Sequence, residues 1–292
     1  MKSIKYFFEF VFVISLFCLF KIIGLKNASN LGSILGITIG PLFRSKNLIK
    51  ENIKIGLGDI DKKKEKEIIL NMWSNIGRTF SEYVFLKDFK FNKTSHNHIK
   101  INGYKYLEDI KSNNKPVIFY SGHFANFELM AMELDKFGIK TAAIYRPLNN
   151  FFLNPLMEYL RMKYICPTQV PKGRPGIRQI INKFRDGYSV ALMVDQRVGE
   201  GPKLNFFNKL AQTTTVPAQL ALRYDCKLVP ISLKRREGVS FEMTVHEPYE
   251  VLKTGNDEED IKNITVKINK IIEEMIIKNP GQWLWSHNRW KQ

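Results

Sequence analysis

The chain has 292 residues, 44% of them hydrophobic and 25% charged, enough for one large domain or two small ones and with no stretch polar enough to be a disordered tail. Its 45 Lys and Arg exceed its 28 Asp and Glu, and the formal net charge of +17 calls for an anionic partner: nucleic acid, anionic lipid or an acidic protein. Three cysteines, Cys18, Cys166 and Cys226, lack paired spacing, which argues against a disulfide framework or a structural zinc site.

Residues 6–25 form an aromatic-rich apolar run. The uncharged part between Glu9 and Lys21 is shorter than the roughly 20 residues that a bilayer span needs; its flanks bring it to that length. Three readings stand: a retained membrane anchor, single-pass or embedded in one leaflet; a cleaved signal peptide, favoured by Lys2 and Lys5 but lacking a clear cleavage site; and a buried core helix. The first is preferred. With the Gly-rich piece Leu31–Phe43 it makes an anchoring segment 1–43, leaving 44–292 as the main domain.

A helix is expected over Asp61–Phe85, with Asp61 as N-cap and Ile69, Trp73, Ile76, Phe80 and Val84 as a core-packing stripe. From Pro116 strands and helices alternate. Strands are expected at Val117–Tyr120, Thr141–Tyr145, Ser189–Val194, Leu228–Lys234 and Phe241–His246. Helices are expected at Phe124–Phe137, Asn150–Met162, Pro175–Phe184 and Val216–Tyr224. Asn256, with Glu259 three residues on, caps a last helix whose buried face is Ile261, Ile264, Ile268, Ile271 and Met275. The pattern is α/β, with a mixed, mostly parallel sheet flanked by helices.

The chemistry concentrates in Phe119–Leu134, where a strand delivers Gly122 and His123 to the start of a helix. In α/β sheets ligands gather at such strand ends. A neutral imidazole there can take a proton from a hydroxyl, an effect worth roughly 10²–10⁴ in rate. His123 and Glu128 are five apart, which on one helix separates them by about 140°. Glu128 therefore reaches His123 only if His123 lies in the loop before the helix. Asp195, at the end of the strand SVALMV, is the second candidate to orient the imidazole, and the choice between the two stays open. No G-x-S-x-G is present, and no motif surrounds Cys166 or Cys226, so no Ser or Cys nucleophile and no covalent intermediate is expected. His96 and His98 read as loop residues and His246 as structural; no metal site is expected.

SGHFANFE resembles the H-x4-D/E block of the glycerolipid acyltransferases, and in its Glu form that of the lipid A biosynthesis lauroyl/myristoyl acyltransferase family. Other blocks of that family are resembled in order by NIGRTFSEY (75–83), Tyr145-Arg146-Pro147, MVDQR (193–197), Phe206-Phe207 with Thr213–Leu222, and WLWSHNRWK (283–291). Asn208 stands where the family usually has Gly, and Asn tolerates left-handed backbone. The resemblance covers roughly the whole chain. It implies a glycerolipid acyltransferase-like fold and O-acyl transfer from an acyl thioester, on acyl carrier protein or coenzyme A, to a hydroxyl of a lipid A precursor. No cofactor is implied beyond that co-substrate.

The roles it implies are His123 as base, Glu128 and Asp195 as essential carboxylates, and Arg146, Arg197, Asn126 and Gln196 as substrate contacts. The implied partners are acyl carrier protein, an anionic glycolipid and the membrane, not nucleic acid. The implied location is the bacterial inner membrane, with the catalytic domain on its cytoplasmic face. The C-terminal Trp283, Trp285 and Trp290 read as a packed lid in preference to an interfacial belt. Rival readings are acylation of another glycolipid or a phospholipid, a membrane-bound hydrolase, a lipid-transport protein and a basic nucleic-acid-binding protein.

Overall fold

The computed structural model describes residues 2–91 and 98–291. Two helices open the chain, α1 (Lys2–Ile23) and α2 (Leu25–Ile39), separated by Gly24 at φ 79°. Ser45 caps α3 (Lys46–Leu57), and Asp61 caps α4 (Lys62–Glu82) by accepting the Lys64 N–H at 2.8 Å. A short α5 (Leu86–Lys90) follows.

The α/β body then runs β1 (Ile99–Asn102), α6 (Tyr104–Asn113), β2 (Ile118–Ser121), α7 (Glu128–Lys136), β3 (Thr141–Tyr145), α8 (Asn154–Leu160), β4 (Thr168–Pro171), α9 (Arg174–Arg185) and β5 (Ser189–Met193). A hairpin of β6 (Lys203–Phe206) and β7 (Lys209–Gln212) leads to α10 (Val216–Tyr224), β8 (Leu228–Glu237), β9 (Ser240–Val245) and α11 (Asp257–Lys278). The seven-stranded sheet has the order β1-β9-β8-β2-β5-β3-β4. Strands β8, β2, β5, β3 and β4 are mutually parallel, and β9 turns back antiparallel on β8. The mixed, mostly parallel sheet flanked by helices is the expected class.

Successive strand residues point to opposite faces, so the sheet carries two cores. Ile118, Tyr120, Val190 and Leu192 face one, toward α9, α10 and α11. Phe119, Ala191, Val229 and Ile231 face the other, toward α7 and the N-terminal helices.

Several boundaries differ from expectation, each for a local reason. Helix α7 begins at Glu128, not Phe124, because Ala125 sits at φ 47° and its backbone is claimed elsewhere. The expected helix from Asn150 starts at Asn154, with Pro155 in its first turn, because Asn150 Oδ1 caps the N–H groups of Phe152 and Leu153. It runs on into a π-helical turn, Arg161–Ile165. Phe80 is not a core residue of the α4 stripe; it is 36% exposed and lies against Phe17 and Phe20 of α1.

Strand β4 and the β6–β7 hairpin were not anticipated. Phe207 and Asn208 form the two-residue hairpin turn at φ 52° and 58°, so Asn208 does adopt the left-handed backbone. His96 lies outside the described residues. His98 precedes β1, with Nδ1 3.0 Å from the Val239 carbonyl. The Trp residues near the C-terminus are packed: Trp283, Trp285 and Trp290 are at most 5% exposed.

Helix α2 lies against α4 at van der Waals limits. A Cβ on Gly77 would fall 1.9 Å from the Gly32 carbonyl oxygen, and one on Gly36 2.1 Å from that of Trp73. Small residues let the two backbones touch, and Ser29 Oγ reaches across to Glu82 at 2.8 Å.

Candidate active site

Register explains why His123 meets Asp195. Strands β2 and β5 are neighbours with Ser121 opposite Met193, so the residues two beyond each strand end also come abreast. His123 Nδ1 lies 2.7 Å from Asp195 Oδ1. The His123 backbone N–H donates to Asp195 Oδ2 at 2.9 Å, and Trp283 Nε1 donates to the same oxygen at 2.7 Å. Gly122 permits the approach: a Cβ there would be 2.7 Å from the Phe124 ring and 3.3 Å from Asp195 Cγ.

Asp195 is 2% exposed. Burial by itself would push its carboxyl up; the charge and hydrogen bonds of His123, with the Trp283 donor, outweigh that and hold it down to about 2. The carboxylate is thus a fixed negative charge that accepts a hydrogen bond from Nδ1–H and leaves Nε2 turned to the opposite side of the ring. Gln196 Nε2 stands 3.3 Å from His123 Nε2, where a hydroxyl would have to enter.

Glu128 is not the partner of His123. It accepts Arg161 Nη2 at 2.7 Å and Nε at 3.1 Å, and it accepts the Tyr83 hydroxyl. Tyr83 and Tyr145 flank the guanidinium at 5.8 and 5.6 Å. Burial disfavours the Arg161 charge, but Glu128 and Tyr83 more than offset it, so the guanidinium is held charged. Burial, then Glu128, pushes the Tyr83 hydroxyl well up, so Tyr83 stays a donor. Arg161 opens the π-helical turn, a distortion often found at functional sites. Sequence reasoning missed it; no motif marks it, and only the fold brings it to Glu128.

The loop 122–127 is clamped from α4 and from the C-terminus. The Ala125 carbonyl accepts Asn75 Nδ2 at 3.0 Å and Thr79 Oγ1 at 3.1 Å, and its N–H donates to the Gln282 carbonyl at 3.2 Å. Beneath lies a buried ion pair, Arg235 Nη1 to Glu82 Oε1 at 2.5 Å, to which Asn126 Nδ2 is tied through Glu82 Oε2 at 2.9 Å. Asn126 is 1% exposed and holds the loop instead of facing the cavity.

A cavity of 780 Å³ opens beside the His123–Asp195 pair, within the usual range for ligand sites. Met72, Ile76, Met130, Ile144, Ile177 and Ile180 give it apolar walls, while His123, Glu128, Arg161 and Gln196 supply polar groups. Arg44, Arg146 and Lys172 add positive charge, and burial, then Arg146, lowers the Lys172 ammonium. Arg197 is not on the wall. Its N–H donates to His287 Nε2 at 3.0 Å and its Nε to the Lys291 carbonyl at 3.1 Å, so it fastens the C-terminal segment. Burial keeps His287 neutral, down at about 4. Arg289, fully buried, fastens the same segment to Thr213.

Cys166 and Cys226 are buried, which pushes their thiols up to about 11 and about 12 and makes them poor nucleophiles. Among the described residues no cluster of His, Cys, Asp and Glu suits a metal ion. The geometry is that of a His–Asp proton acceptor at the edge of an apolar cavity with a buried cation nearby, a set of parts for activating a hydroxyl.

The chain is similar to proteins of known function along most of its length. The lipid A biosynthesis lauroyltransferase of Escherichia coli (strain K12) is 21% identical over 259 residues, covering 85% of this chain and 79% of that one. The lipid A biosynthesis palmitoleoyltransferase of the same organism is 24% identical over 272 residues, 89% and 84% of the two chains. The lipid A biosynthesis acyltransferase of Haemophilus influenzae (strain ATCC 51907 / DSM 11121 / KW20 / Rd) is 24% identical over 256 residues, 84% and 76%. Since the profile of one family also matches residues 1–292 from end to end, the chain belongs to the bacterial lipid A biosynthesis acyltransferases.

Proposed function

We propose that the chain transfers a fatty acyl group from the thioester of acyl carrier protein to a hydroxyl of a lipid A precursor, with His123 as general base. The observation that carries this is the His123–Asp195 pair, with Nδ1 on a buried carboxylate and Nε2 at a cavity with apolar walls. The acceptor hydroxyl gives its proton to Nε2 as its oxygen attacks the thioester carbonyl. Collapse of the tetrahedral species breaks the C–S bond, and the departing thiolate takes the proton back from the imidazolium. The products are an ester and a free thiol.

Asp195 stabilises the transient imidazolium. Glu128 fixes the Arg161 guanidinium in the cavity wall, and its N–H groups are donors suited to charge developing on the carbonyl oxygen. Arg44, Arg146 and Lys172 suit phosphate groups of either substrate. The net charge of +17 fits an acidic carrier protein, a phosphorylated lipid and an anionic bilayer alike. We place the enzyme at the bacterial inner membrane, with its domain on the cytoplasmic face where the thioester is made.

The test is acyl transfer by membranes containing the chain, offered lauroyl-, myristoyl- and palmitoyl-carrier protein with a tetra-acylated precursor, and His123→Ala alongside. The expected product is heavier by one acyl chain and absent with the variant. Transfer to a phospholipid but never to the precursor refutes the acceptor. Transfer only from coenzyme A refutes the donor.

A further inference from the structure

We infer that α1 does not cross the bilayer but lies along its surface, with one face on the catalytic domain and the other in the acyl chains of a single leaflet. The occupant of its exposed face is a lipid monolayer.

Helix α1 has 22 residues and a mean hydropathy of 2.2, enough for a span by composition alone. Its exposed large apolar side chains are Ile4, Phe7, Phe8, Val11, Phe12, Leu19 and Ile22. At about 100° per residue they fall within one arc of about 140°. The opposite arc carries Tyr6, Phe10, Val13, Phe17 and Phe20, the residues turned toward the domain.

Those contacts extend along the helix. Near its start, the rings of Tyr6, Phe7 and Phe10 meet Phe151 and Phe152 at 5.8–6.1 Å. Asn150 Nδ2 donates to the Tyr6 carbonyl at 2.9 Å and to Glu9 at 3.2 Å. Near its end, Phe17 and Phe20 pack on Phe80, and Lys21 pairs with Asp88 at 3.1 Å. Tyr6 to Lys21 is about 23 Å of a helix about 33 Å long, at ~1.5 Å per residue.

A helix laid along a polar domain over that length cannot also stand across a hydrocarbon layer about 30 Å thick, because the domain would have to enter with it. Glu9 and Lys21, each bound to a polar group of the domain, would be carried in as well. Lying flat, the helix buries its apolar arc and leaves both charges at the headgroups. The exposed Phe151 also lies at this surface, and Leu148 and Asn149 of the same loop line the cavity. A lipid would therefore enter the cavity from the leaflet in which α1 lies.

The inference uses the membrane-bound part of the proposed function and none of its chemistry, so failure of the transfer assay and failure of the topology assay are separate results. Cys166 and Cys226 are buried and silent to impermeant reagents. In a Cys18→Ser background, Ser3→Cys on α1 and Glu258→Cys on α11 are labelled with an impermeant maleimide, in intact spheroplasts and in inverted vesicles. Both are expected to react from the same side of the membrane. Reaction from opposite sides overturns the inference.

A second reading uses bimane on native Cys18, on Phe8→Cys and on Ile22→Cys (the last two with Cys18→Ser), with the full chain in phosphatidylethanolamine–phosphatidylglycerol vesicles containing lipids brominated at set depths. Equal quenching depth is expected at all three. A gradient approaching the ~21 Å that separates residues 8 and 22 along the axis refutes a flat helix, as does failure of the full chain to float with the vesicles.

Discussion

Asp195→Asn tests the site most sharply, because the three donors around Asp195 dictate what the amide must do. Two of them, the His123 backbone N–H and Trp283 Nε1–H, converge on one oxygen and cannot turn away. The single amide oxygen of Asn must stay there, or two buried donors lose their acceptor. The amide nitrogen then faces His123 Nδ1, which has to accept a hydrogen bond instead of donating one. The imidazole proton moves to Nε2, and the base is gone while the fold persists.

A wrong tautomer of this kind costs a hydroxyl-activating His–Asp pair about 10⁴ in kcat. The expected loss is 10³–10⁴, about 4–5.5 kcal/mol in the barrier, with KM for donor and acceptor little changed. Because the two residues act as one unit, adding His123→Ala should cost little more. Initial-rate kinetics and ¹⁵N spectra of the His123 ring read out both halves of the argument. Asp195→Asn retaining more than a tenth of wild-type kcat, or a ring still protonated at Nδ1, would refute it.

Glu128→Gln leaves Arg161 buried without its anion and should destabilise the protein by about 3 kcal/mol in denaturant unfolding, with loss of transfer. Adding Arg161→Met should restore stability but not activity; restored activity would make the pair merely structural. His287, held at about 4 against an ordinary 6.5, is protonated more readily in the unfolded chain. Its contribution is complete above pH 6.5 and is lost as the pH falls toward 4, by on the order of 3 kcal/mol at most. His287→Gln should flatten that part of the stability–pH curve, and an unchanged slope refutes the assignment. Gly77→Ala forces α2 off α4 and should cost about 1–3 kcal/mol, read as a lowered Tm in thermal unfolding.

Local signals in the sequence carry the elements whose determinants are local. Asp61 and Asn256 cap α4 and α11 as their side chains dictate, and β3 and α10 occupy the expected residues. His123 and Asp195 were legible as candidates because each follows an apolar strand. What the chain itself could not state is distance. The spacing of His123 and Glu128 left that pair open beside Asp195; Glu128 turns to Arg161, and the partner of His123 lies 72 residues away, just beyond the neighbouring strand.

The same holds for Asn126 and Arg197, polar residues beside the site that turn out to tie down the loop and the C-terminal segment. Helix α7 starts late because Ala125 gives its backbone to Asn75 and Thr79, side chains of another helix. Sequence determined the caps, the strand periods and the types of reactive group, since these depend on neighbours along the chain. Tertiary structure alone decided which carboxylate serves the imidazole, because strand register, not separation in sequence, sets which side chains come within 3 Å.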